Sequence, residues 1–474
     1  MKKITILVLV ILGFSCSGDF KDVVDFTTVE NPNLSEASVV GQPNSSSIWL
    51  AGLERQLALV FNETLVLAEL GSDNYVNTQT FFNQFMDGLN IQITDPDMRD
   101  TQRQIHRLRE LAIFGIENVG PGDPNFTAEI EAEYSYFEGL SYLFSAMYFS
   151  ALPVESLGAP ISSEQHYQNA ITAFDTAIGV NAKPEYHLAK ARANYYLGNK
   201  AAAVEAATAA LALDPAFDRS VSFDNANPDG PTNTFEGALY GRATFDDLQP
   251  LPTLDFLDPK YSFLSPAEDA PVHYLKAEEA LLILAEAALS DDDVASARTN
   301  LTTLVDLVAT REVRNIDDSI EGRTEVEVGS RPDNAAVVVN GRDGLVLDRQ
   351  SGFVDIPSIS GTSLTAADIA AMNDDDAGLA LVYRTRQEVF LAEGLRLVDM
   401  GVKIVIDENE ILLNENINEG DAGTTPVIPS FISAVIADLD AITYDAGAGT
   451  ASTAIDLSAI LVANKSASEV VPFE

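Results

Sequence analysis

The chain is poor in four kinds of residue that many proteins lean on. It has one cysteine, one tryptophan, four histidines and only 28 Lys and Arg against 72 Asp and Glu in 474 residues. A single cysteine excludes any disulfide within the chain, so stability has to come from packing. A formal charge of −44 argues against nucleic acid as a ligand, because phosphate binding needs clustered Lys and Arg. His106, His166, His187 and His273 show no metal-binding spacing, and a zinc site needs several close ligands. No glycine-rich phosphate loop and no GxSxG nucleophile elbow is present. With 72 carboxylates a glycosidase pair is not excluded by inspection, but no enzyme motif supports one and the chain reads as a non-enzyme. The longest charge-free apolar run, 4–12, is too short for a bilayer, which needs about 20 residues.

That short run is informative for another reason. Lys2 and Lys3 precede it, and Gly13-Phe14-Ser15-Cys16 follow. A basic start, a short apolar core and a small residue before the cut make a secretory signal over 1–15. The lone cysteine stands directly after the cut. The segment resembles a bacterial lipoprotein signal, with Cys16 as the lipidated residue and Phe14 where a smaller side chain is usual. Loss of Lys2 and Lys3 takes the mature chain to −46, a charge that suits a well-solvated surface. Each buried acyl methylene contributes about 0.8 kcal/mol, so several chains on one cysteine would hold such a protein firmly.

With 46% hydrophobic residues the rest can bury a substantial core. Residues 16–45 are polar and rich in turn formers, an extended tether. From 46 to 474 the pattern is that of one all-α domain with long irregular loops. Helices are expected from Ser46 or Ser47 onward through Trp49, Leu53, Leu57 and Val60, and over 98–118, 127–149, 270–289, 292–310, 379–400 and 430–440. The helix over 127–149 reads as amphipathic, and Trp49 as a core residue. Residues 193–215, ANYYLGNKAAAVEAATAALALDP, closely resemble part of a tetratricopeptide repeat: Gly198 at the turn, Ala203 and Ala210 where paired helices touch, Asp214-Pro215 ending the unit. One unit earlier Tyr167, Ala170, Ile171, Phe174 and Ala177 repeat the register, so tetratricopeptide-like units are placed over about 164–217. The stretches 216–265 and 311–375 are elaborated loops, the second with a short hairpin around Val337-Val338-Val339-Asn340-Gly341.

Three groups of residues are candidates for contact with a ligand or partner. Asp73, Asn74, Tyr75, Asn77, Gln79 and Phe81 mix aromatics with amides directly after a helix, a combination that stacks on sugar rings and hydrogen-bonds their hydroxyls. Asn225, Asn227, Asp229 and Glu236 fall at positions 1, 3, 5 and 12 of a calcium loop with Gly230 at 6, but Asn225 replaces an aspartate and Pro231 occupies the carbonyl position. Arg99, Arg103 and Arg107 share one helix face, either as surface ion pairs or as a contact for an anion or partner. Asp291-Asp292-Asp293 and Asp374-Asp375-Asp376 read as helix-start charge and solvated loop.

Four stretches in order resemble the SusD/RagB family of outer-membrane nutrient-binding lipoproteins. They are Cys16 with Gly18-Asp19-Phe20 and Asn31-Pro32-Asn33; Ala132-Glu133-Tyr134-Ser135-Tyr136-Phe137 through Leu152-Pro153; Tyr274-Leu275-Lys276-Ala277-Glu278-Glu279 through Ala287; and Arg384-Thr385-Arg386-Gln387-Glu388 through Arg396 and Asp399. The resemblance implies a helical tetratricopeptide-like scaffold whose loops form a shallow binding face. It implies an oligosaccharide ligand, a TonB-dependent SusC-like transporter as partner, a lipid anchor in the outer membrane facing outward, and no reaction. A lid for peptide or another nutrient, or a scaffold for outer-membrane assembly, are the alternatives.

Overall fold

The computed structural model describes residues 40–77, 84–224, 230–240, 248–257, 260, 268–317, 338–340, 346–348, 353–445, 450–470 and 473. Cys16 and its signal therefore lie outside the described residues. Nine helices of thirteen residues or more occur among them: α1 Ser45–Leu70, α2 Pro96–Phe114, α3 Ala128–Tyr148, α4 Ser163–Val180, α5 Pro184–Tyr196, α6 Lys200–Leu213, α7 Ala277–Leu289, α8 Val294–Val308 and α9 Asp375–Val389. Side-chain caps set many of their starts. Asp95, Thr127, Ser162, Asp293 and Asp374 each accept a hydrogen bond from a first-turn backbone N–H, and Pro96 and Pro184 stand where a missing N–H costs nothing. Two of the acidic runs are thus helix caps.

Each helix from α1 to α8 packs on the next, so the chain forms a stack of four helical hairpins, with α9 laid on α7. Small residues permit the close approach. Ala170, Ala177, Ala203 and Ala210 are fully buried, and Gly198 turns α5 into α6 with φ +70°, a conformation glycine adopts without strain. The tetratricopeptide-like reading over 164–217 thus belongs to a longer array that begins at α1 and ends at α8.

Gly139 shows how tight the array is. A Cβ there would meet Cε1 of the buried Phe174 at 2.5 Å, between α3 and α4. Gly52, exposed in the interior of α1, has no atom within 4 Å of the same position. Gly139→Ala is expected to destabilise by about 1–3 kcal/mol through overpacking. Gly52→Ala should stabilise by about 0.5–1 kcal/mol through chain entropy. Denaturant unfolding of the two variants checks the opposite signs.

Four expected elements differ in the structure. The helix α3 is not amphipathic in effect, because from Ala132 onward nearly every residue is buried, as befits a central helix packed on all sides. Residues 272–276 form a strand, so that α7 starts only at Ala277. The expected helix over 379–400 is broken after Val389, with Ala392 at φ +60° and Gly394 at φ +81°, before a short turn Arg396–Asp399. That break frees backbone groups for the contacts given below. Residues 430–440 hold only Ser430–Ser433 and a 3₁₀ turn Ile436–Asp438, because Val435 between them has a non-helical backbone (φ −121°, ψ 5°).

The strands are short and serve as stitches. In chain order they are β1 Tyr75–Asn77, β2 Ala151–Pro153, β3 Pro160–Ser162, β4 Asp218–Val221, β5 Leu248–Pro250, β6 Val272–Lys276, β7 Val313–Asp317, β8 Val338–Asn340, β9 Val346–Asp348, β10 Phe353–Pro357, β11 Ile442–Asp445 and β12 Thr450–Thr453. β8 and β9 pair antiparallel, Val338 opposite Asp348, at the expected hairpin. They join β12 and β11 in a four-stranded sheet, while β1–β5, β2–β3, β4–β6 and β7–β10 are isolated pairs.

The core holds charge as well as hydrocarbon. Arg192 of α5 donates to both carboxylate oxygens of Glu279 of α7 (2.8 and 2.6 Å) and to the Tyr274 carbonyl (2.6 Å). Arg386 of α9 and Tyr196 both reach Asp399 at 2.7 Å. Lys276 donates to Glu393 at 2.6 Å and to the Val389 and Ile359 carbonyls, and Lys260 donates to the same Glu393 oxygen. These groups are nearly all within a few per cent of full burial, so each charge survives only by its partner.

Candidate binding face

The turn that leaves α1 is fixed from below. Glu69 is fully buried; its Oε2 accepts from Asn74 Nδ2 (2.7 Å) and its Oε1 from the Gly394 backbone (2.7 Å). Burial raises the Glu69 carboxyl to about 7, against the pull of those hydrogen bonds. Asp73 accepts two hydrogen bonds from Arg396 (2.6 and 2.9 Å), and Gln387 donates to the Asp73 carbonyl and to Asn74 Oδ1. Tyr75 is buried edge-on against Phe235. Asp73, Asn74 and Tyr75 therefore face the core, which corrects their placement among ligand contacts. A helix end inside a protein must satisfy its polar groups, and here Ser72 Oγ donates to the Glu69 carbonyl and the Gly71 N–H to that of Leu67. Asn77 is half-buried, its backbone N–H donating to Asp87 Oδ1 (3.0 Å). Gln79 and Phe81 lie outside the described residues.

Distant segments converge beyond this anchor. β1 pairs with β5, and the Leu251 N–H donates to the Asn74 carbonyl. The 3₁₀ turn Pro252–Leu257 then touches β8, β9, β10 and β12, with Thr253 and Thr453 hydrogen-bonded across 200 positions. Burial lifts the Asp87 carboxyl to about 6, and burial followed by the nearby Asp87 and Asp73 charges lifts Asp440 well above the usual range. Two aromatic rings face solvent on these segments. Phe85, 50% exposed, sits in the short helix Gln84–Asp87 packed on β1. Phe353, 72% exposed, opens β10. Neither was marked by its sequence neighbourhood; an exposed phenylalanine looks like any other until its element is placed. Trp49, read as core, is half-buried, donates Nε1 to the Leu111 carbonyl (2.8 Å) and packs on Phe114.

A second concavity of about 440 Å³ opens between α1 and β4, with Arg55, Arg219, Phe223 and Asp224 on its wall. Arg219 is held there by Glu133 (3.0 Å) and Glu185 (3.1 Å) over the Tyr136 ring. Asp224 and Pro231 are joined by a backbone hydrogen bond at the base of the segment that carries the calcium-loop match. Glu236 is fully buried, and its Oε2 accepts from the Ala270 N–H (2.8 Å), so one of the two oxygens that position 12 gives to calcium is engaged by the scaffold. Asn225, Asn227 and Asp229 lie outside the described residues. Among the described residues no group of three or more His, Cys, Asp or Glu side chains is placed to share a metal ion. No helix among them is long and apolar enough to cross a membrane.

No protein-family model and no curated protein matches the chain. Solved structures do. A SusD superfamily protein from Bacteroides fragilis aligns over 80% of this chain and 100% of its own, with 14% identity and a TM-score of 0.51. Two SusD superfamily proteins from Bacteroides thetaiotaomicron align over 79% and 80% of this chain and 98% of theirs, with 13% and 11% identity and TM-scores of 0.54 and 0.50. The chain has the helical, tetratricopeptide-containing SusD fold, as its buried Glu279, Arg386 and Asp399 stretches implied.

Proposed function

We propose that this protein is a lipid-anchored outer-membrane lipoprotein that captures oligosaccharides on its loop-built face and passes them to a SusC-like TonB-dependent transporter. The observation that carries the reading is the pair of exposed rings, Phe85 and Phe353, on a short helix and a short strand outside the helical stack. A flat aromatic face covers the C–H face of a sugar ring and loses little side-chain entropy in doing so. The polar groups that orient such a ligand come from the loops, while the scaffold keeps its own charges inside. The SusD fold supports the class of protein, and the start of the chain, with Cys16 behind a secretory signal, supports the anchor.

Calorimetric titration with a panel of neutral oligosaccharides tests the reading. At least one should bind, and Phe85→Ala or Phe353→Ala should weaken it about tenfold, worth about 1.4 kcal/mol. Peptide binding with no glycan binding would point to a different nutrient. Purification from native membranes without any large β-barrel would remove the transporter from the proposal.

A further inference from the structure

A groove of about 600 Å³ lies on the outer side of α2, sharing no residue with the loop-built face. That volume falls within the range of small-molecule sites, roughly 300–1,000 Å³. Arg99, Arg103 and Arg107 project into it one helical turn apart, and the turn at Asp407 and Glu410 forms the opposite wall. The three guanidiniums are not equally occupied. Arg99 donates to both oxygens of Asp100 (2.9 and 3.1 Å), and Arg103 approaches the same carboxylate at 3.2 Å while 62% exposed. Arg107 is exposed and makes no ion pair among the described residues.

His106 adds a second, independent observation. It lines the same groove, is 8% exposed, and its buried Nε2 has no hydrogen-bond partner. Burial, then the Arg109 charge, pushes this histidine down to about 3, so it stays neutral in ordinary buffers. An unmet ring nitrogen in the same groove as an exposed guanidinium calls for a ligand that brings both a hydroxyl, which can donate or accept, and an anionic acceptor. Asp407 and Glu410 limit the anion. Their oxygens already accept backbone N–H groups, Asp407 from Asn409 and Glu410, and Glu410 from Leu157, but their charges remain and oppose a polyanion.

We propose that this groove binds a hydroxylated monocarboxylate of the uronate sugar class, the carboxylate on Arg107 and Arg103 and a ring hydroxyl hydrogen-bonded to His106 Nε2. The proposal goes beyond the loop-face reading and does not depend on it. Calorimetry on the full-length chain at low salt, with glucuronate, its methyl ester and glucose as probes, tests it. Glucuronate should bind roughly ten- to hundredfold more tightly than either neutral probe. Arg107→Gln, a change at an exposed and unpaired side chain, should remove that margin, and His106→Phe should weaken glucuronate and glucose alike. Absence of glucuronate binding, equal affinity for the ester, or an Arg107→Gln variant that binds like the parent would each overturn the proposal.

Discussion

Glu393→Ala is expected to cost the protein at least about 3–5 kcal/mol, the usual penalty for leaving a buried ion without its partner. Two ammonium groups are affected at once, because Lys260 and Lys276 both donate to Glu393 Oε1 and both are at least 97% buried. A domain is stable by only about 5–15 kcal/mol, so soluble yield should fall together with the unfolding midpoint. A pH signature separates loss of charge pairing from simple loss of packing. Burial, only partly opposed by Glu393, already pushes Lys260 down to about 8. Without the carboxylate Lys260 releases its proton at a still lower pH in the folded state, while the unfolded chain keeps it to about 10.4. Where the unfolded state binds more protons, stability rises with pH. The deficit of the variant relative to the parent should therefore shrink as pH rises toward about 8, where the parent's own Lys260 loses its proton, and stay level above it. A deficit independent of pH in denaturant titrations would assign the effect to packing alone.

Arg396→Met should be almost as damaging, by about 3–5 kcal/mol, and more local. It leaves the Asp73 carboxylate buried without its two charge-assisted hydrogen bonds, at the turn that launches β1. Asp73→Asn combined with Arg396→Met should recover part of that loss, because the stranded charge is gone, and a double-mutant cycle measures the coupling. If the loop-built face binds glycan, Arg396→Met should also weaken binding at temperatures where the stack remains folded. Amide exchange over 71–77 should accelerate before that of α5 and α6.

How much of this was legible beforehand depended on what each residue type can signal. The α5–α6 hairpin was readable because Gly198, Ala203 and Ala210 are small at positions where helices touch, and few other reasons place them there. The α1–α2 hairpin of the same array buries Leu, Phe and Val from α1, and large apolar residues do not distinguish one packing partner from another. The break after Val389 was invisible for a different reason. Residues 379–400 carry a helical pattern, and what stops the helix is a set of partners more than a hundred positions away: Lys276 on the Val389 carbonyl, Lys260 on that of Leu391, Glu69 on the Gly394 N–H. The same remoteness explains Asp73 and Asn74. Polar residues after a helix read as solvent-facing until Arg396 and Gln387 are known to cover them. Caps act within three residues, and Asp293 was legible as a helix start, whereas Asp374, read as part of a solvated loop, caps a helix that begins four residues before the expected 379.

The contacts of Glu69 with Gly394 and of Asp73 with Arg396 span 325 and 323 positions. During synthesis the first hairpin emerges with two carboxylates that have nowhere to go until the chain is more than four-fifths made. Non-local closure of this kind is slow and comes late. A nascent chain therefore stays loosely organised at its leading end, the state a polypeptide needs if it is to be threaded through a narrow channel. The knot that secures the first helix is tied only when the last quarter arrives.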